Sequence, residues 1–128
     1  MKVIQELVAY FDRRGKLSSA QVRALVEGGY LAADAPANML DLAQPVGSVY
    51  YFRVAGSSEG PLWGTDVYTG DSSLAAAAVH AGLVRPGEST VIRVASVAPP
   101  TRFAGSVRNG VTSHEFGRYG SAFTLAAV

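Results

Sequence analysis

The sequence predicts an α+β fold in which one buried helix is wrapped by short β-strands, with a helical hairpin in front of it. Three observations carry this expectation. Residues 2–14 place Val3, Ile4, Leu7, Tyr10 and Phe11 at helical spacing, whereas the chain after Val49 changes to short runs of β-branched and aromatic residues. Within that second part, residues 72–81 have almost no polar face: Leu74, four consecutive alanines, Val79 and Ala81. Such a helix belongs inside, and alanines let strands approach it closely.

The first helix runs from Lys2 to about Arg14 and is interrupted by Gly15-Lys16. A second spans Ser19 to Glu27, with Ser18 as cap, Gln21 at the capping-box position and Leu17 placed to staple onto Val22. Ala20, Val22, Leu25 and Val26 supply its apolar stripe, and Gly28-Gly29 stops it. Residues 1–31 therefore read as a helical hairpin with one apolar side. Residues 32–48 carry Pro36, Asn38, Asp41, Pro45 and Gly47 and read as a linker or docking segment, pinned by Met39, Leu40 and Leu42 or folded there as a short helix.

The domain proper occupies 49–128. Val49–Val54 is rich in β-formers, and Trp63–Tyr68 is a short strand or an extended loop. The helix follows, with Asp71, Ser72 or Ser73 as N-cap and Gly82 as the residue just past its end. Ser89–Val97 alternates as a strand and Pro99-Pro100 ends it. Arg102–Gly105 is extended, Asn109-Gly110 signals a turn that accepts positive φ, and Ser121–Leu125 closes the domain as a strand.

Composition narrows function. At 128 residues, 48% hydrophobic and 16% charged, the chain suffices for one globular domain with a helical appendage. A formal charge of +1, with no basic run longer than Arg13-Arg14, argues against a nucleic-acid partner. No stretch approaches 18 apolar residues, so no membrane-spanning helix is expected. The absence of cysteine removes disulfides, thiolate metal clusters and a cysteine nucleophile, and favours a cytoplasmic setting.

Two blocks of sequence carry a family likeness. Trp63-Gly64-Thr65-Asp66-Val67-Tyr68-Thr69-Gly70-Asp71-Ser72-Ser73-Leu74, followed by Ala77-Ala78-Val79-His80-Ala81-Gly82, resembles the signature of the LCCL domain. Phe103-Ala104-Gly105-Ser106-Val107-Arg108-Asn109-Gly110-Val111-Thr112-Ser113 and the closing Ser121-Ala122-Phe123 resemble its second half. The likeness covers about residues 49–125 and marks the chain as a cysteine-free, bacterial version of the family. It implies a central helix enclosed by strands in a noncatalytic module, with proposed ligands that include lipopolysaccharide and other microbial surface material. The family's usual cysteine after the Ser-Ser pair falls at Ala75, so packing must replace the missing disulfides, and the hairpin is expected to help by covering apolar surface.

The expected function is a noncatalytic binding or protein-interaction module. The hairpin stripe offers a face for a protein partner or for self-association. The alternative is an anionic glycolipid or polysaccharide held by Arg102, Arg108 and Arg118 and stacked on Trp63 or Tyr68, with His80 as a further contact. His80 also suits a structural role at a helix C-terminus. A hydrolase or metal site at His80 or His114 is the remaining reading. Asp66 and Asp71 fit turn closure and helix capping better than calcium, since their spacing matches no EF-hand loop. No cofactor is expected.

Overall fold

One seven-residue helix sits against a six-stranded sheet. The computed structural model describes residues 33–42 and 45–128, together with Ala20, Gln21 and Ala24; the expected N-terminal hairpin otherwise lies outside the described residues. The sheet is built from β1 (Ala33–Asp34), β2 (Val49–Ala55), β3 (Gly64–Thr65), β4 (Val67–Thr69), β5 (Ser89–Val97) and β8 (Ala122–Ala127). Their spatial order is β1-β2-β5-β8-β4-β3, with β1 parallel to β2 and the other pairs antiparallel. A separate hairpin pairs β6 (Val107–Arg108) with β7 (Val111–Thr112).

The helix α1 (Leu74–His80) is specified at both ends. Of the three residues that could cap it, Ser73 does so: its extended backbone turns into the helix and its hydroxyl accepts from the Ala76 N–H at 3.2 Å. Gly82, with φ of +80°, takes the left-handed position after Ala81. There its N–H donates to the Val79 carbonyl while the Leu83 N–H donates to that of Ala78, both at 3.0 Å. This paired closure satisfies two carbonyls that would otherwise end the helix unpaired.

Alternation along the strands sends one set of side chains toward α1. Phe52, Val54, Ile92, Val94 and Phe123 line that face, and Met39, Leu62, Tyr68 and Val111 complete the core around Leu74 and Ala76–Val79. The alanines act as expected, since larger residues would hold the sheet further off. Ser89–Val97 forms the strand read from the sequence, while the closing strand runs on to Ala127. Trp63–Tyr68 folds into the β3–β4 hairpin, with Asp66 at its tip in a left-handed conformation. Around Met39 the backbone makes a turn, not a helix, through the Leu42 N–H to Met39 carbonyl bond. Met39 is buried there and Leu40 exposed.

Close approach at α1 gives a direct prediction. Ala78→Leu should destabilise the domain by about 1–3 kcal/mol through overpacking, whereas Ala104→Leu on the exposed loop should leave stability nearly unchanged. Urea unfolding followed by Trp63 fluorescence distinguishes the two.

Candidate functional site

The chemistry-bearing residues gather at the C-terminal end of α1 and on the loops beside it. His80, the last helical residue, is fully buried. Its Nδ1 lies 2.8 Å from the Tyr68 hydroxyl and its Nε2 3.1 Å from the Ser106 hydroxyl. Ser106 Oγ in turn lies 2.6 Å from Thr65 Oγ1, which donates to the Ala104 carbonyl at 2.9 Å.

One proton arrangement satisfies every member. Thr65 spends its proton on Ala104, so Ser106 donates to Thr65 and accepts from Nε2–H. Nδ1 is then the acceptor for the Tyr68 hydroxyl, whose oxygen also receives the Asp66 backbone N–H. The opposite tautomer leaves the buried phenol proton without an acceptor, which is costly.

The network joins three separate parts of the chain. β4 supplies Tyr68, α1 supplies His80, and the loop entering β6 supplies Ser106. The Ser106 N–H also donates to Ser113 Oγ, and the Ser113 N–H returns to the Ser106 carbonyl. At the hairpin tip Asn109 and Gly110 both have positive φ, the geometry that closes a two-residue β-hairpin. The Asn109 side-chain amide then donates to the His80 carbonyl at 3.0 Å, so the hairpin caps the helix that it packs against.

Burial dominates the electrostatics. It lowers the His80 pKa below the ordinary histidine value, opposed by the Ser106 carbonyl; nearby Arg108 lowers it further and Asp66 raises it. Burial also raises the pKa of Tyr68. Both groups are therefore neutral near pH 7. His114 stands apart: it is exposed, and its backbone bridges Trp63. Among the described residues there is no group of three His, Asp or Glu arranged to hold a metal ion.

The other expected site residues lie nearer the surface. Trp63 is half-buried and meets Phe116 edge-on, with ring centroids 6.4 Å apart. Phe116, exposed at 43%, makes a second edge contact with Tyr119 at 5.9 Å. The hydroxyl of Tyr119 bonds the Asp71 carboxylate, so Asp71 anchors this loop and does not cap α1. Arg102 pairs with Glu115, and both line a depression of about 420 Å³ with Thr101, Phe116 and Gly117. Arg108 pairs instead with Asp66 at the β3–β4 tip, and Arg118 is exposed on the loop after Phe116. Of the six expected residues, then, Tyr68 and His80 meet in the core, while Trp63 and Arg102 border the Phe116 surface.

Sequence reasoning did not single out Ser106, Thr65, Phe116 or Tyr119 as site residues. Thr65 and Ser106 meet across 41 positions, which no local pattern reports. Phe116 and Tyr119 did leave a signal: two large aromatics among Gly117, Gly120 and charged residues, in a stretch with no strand pattern to bury them.

The comparisons agree with this architecture. The family model of the LCCL domain matches residues 44–123. The chain belongs to the LCCL domain family. Over 70 residues it is 39% identical to the human cysteine-rich secretory protein LCCL domain-containing 2. That stretch is 53% of this chain and 14% of the human protein. The LCCL domain is a general binding or interaction module, and here it is built without cysteine. None of the described helices is long and apolar enough to cross a membrane.

The buried histidine makes stability depend on pH. Because the folded pKa of His80 is lowered, the unfolded chain takes up its proton first as pH falls. Its contribution is fully present above about pH 6.5, the ordinary histidine value, and is lost as pH drops through the folded pKa. The melting temperature should therefore decline below that point, and His80→Gln should flatten this part of the profile while lowering stability at pH 7.5. Tyr68→Phe, which removes the donor to Nδ1, should cost about 1–3 kcal/mol. Thermal melts from pH 5 to 8 test all three.

Proposed function

We propose that this LCCL domain is a noncatalytic protein-interaction module whose contact surface centres on Phe116. The observation that carries the reading is the exposed Phe116 ring, held edge-on between the half-buried Trp63 and Tyr119 and bordered by the Arg102–Glu115 pair. Aromatic residues and arginine are enriched at protein interfaces, and a large ring inside a polar rim is the usual form of a binding hot spot. The site is also held in place. Trp63 is fixed through its backbone N–H to Ser72 Oγ, the Phe116 backbone pairs with Phe103 in both directions, and Tyr119 is tied to Asp71. A preformed surface loses little conformational freedom on binding.

The reading with an anionic glycan or lipid has less support. Arg102 and Arg108 already carry carboxylate partners, and of the three arginines only Arg102 lines the Phe116 depression. Catalysis has less still: His80 is buried behind Tyr68 and Ser106, and its ring nitrogens are occupied.

The test is affinity capture with the full chain, followed by calorimetry of the purified pair. Phe116→Ala should weaken binding by about 30-fold, the loss expected at a hot spot of about 2 kcal/mol, with the melting temperature nearly unchanged. Binding to lipopolysaccharide or a sulfated polysaccharide that survives Phe116→Ala and disappears on replacing Arg102, Arg108 and Arg118 with glutamine would overturn the proposal.

A further inference from the structure

The sheet has a second face, turned away from α1, and its composition is unusual for an antiparallel sheet with helix on one side. Such sheets commonly alternate apolar residues inward with polar residues outward. Here the outward set comprises Val49, Tyr51 and Arg53 on β2, Val91, Arg93, Ala95 and Val97 on β5, and Ala122, Thr124 and Ala126 on β8. Strand register places them side by side: Tyr51 beside Arg93 beside Ala126, and Val49 beside Ala95 beside Thr124. Only the two arginines are charged. Tyr51 and Val49 are nevertheless 1% and 4% exposed, although neither belongs to the core cluster around α1.

We infer that residues 1–31 cover this second face, laying the apolar stripe of the N-terminal hairpin over Val49 and Tyr51. Chain direction favours it. β1 runs parallel to β2 with Ala33 opposite Phe52, so the residues before Ala33 lead toward the Tyr51–Val49 end of β2. The described helical positions agree. Ala20, Gln21 and Ala24 are all exposed and fall within one sector of about 100° on a helical projection. On an ideal projection of the sequence, Val22 and Val26 fall opposite that sector and Leu25 falls on its flank. Ala20, which the sequence alone assigns to the apolar stripe, belongs instead to the solvent side. Burial also grades across the sheet: Val49 and Tyr51 are covered, while Arg53 and Ala126, further along, are exposed.

The cysteine-free chain makes the test simple, because a single introduced cysteine is the only thiol. In the 128-residue chain, Ala95→Cys on the second face should react with a thiol reagent at least ~10-fold more slowly than Ser58→Cys on an exposed loop, as expected for a site reached only by local opening. Adding Val26→Glu should bring the Ala95→Cys rate toward the control. Ala78→Cys, on the buried side of α1, reports whether that variant still folds. Where it does not, a benzophenone attached at Thr124→Cys in the unaltered N-terminal background decides, by mass mapping of its photoproduct. An adduct to residues 1–31 of the same chain supports the inference. Rapid labelling at position 95, protection that Val26→Glu leaves intact in a folded domain, or an adduct confined to residues 33–128 overturns it. So does an adduct joining two chains, or protection that fades on dilution, since the occupant would then be a second copy.

Discussion

The imidazole of His80 holds together parts of the domain that regular backbone pairing leaves separate. The β6–β7 hairpin belongs to no larger sheet, and α1 is only seven residues long. Neither would be stable alone, since short helices and isolated two-stranded hairpins are marginal in water. They are fixed to β4 through Tyr68–His80–Ser106 and to each other through Asn109 and the His80 carbonyl. In a dry interior these bonds are strong as a set and costly when one fails. The loop that presents Phe116 follows this hairpin, so the surface proposed for binding rests on the same buried lock.

Much of the architecture was legible because local chemistry and tertiary role agreed. Asn109-Gly110 reads as a turn because positive φ is acceptable there, and both residues adopt it. Gly82 ends α1 for the same reason. The near absence of a polar face over 72–81 points to burial, and the residues that surround α1 bear that out. The alternation over Ser89–Val97 required a strand against a core.

What escaped was set by distance along the chain. Three neighbouring residues could all have capped α1, and the choice of Ser73 follows from what the other two find elsewhere. Ser72 bonds the Trp63 backbone and Thr69, and Asp71 meets Tyr119. The hairpin inside Trp63–Tyr68 was hidden because its tip is Asp66, a residue that enters the left-handed region less readily than glycine. The aromatic surface is half visible in the sequence: Trp63 reads as a platform candidate, but its companions Phe116 and Tyr119 are more than fifty positions away and are brought to it by long-range pairings such as the Phe103–Phe116 and Trp63–His114 bridges.

A domain held without covalent cross-links tolerates different surroundings from one held by disulfides. A disulfide-held fold is tied to the thiol balance of its compartment. This one has no thiol to oxidise and no bridge to reduce. It can cross between reducing and oxidising environments without changing its connectivity, and the environmental variable it answers to is acidity.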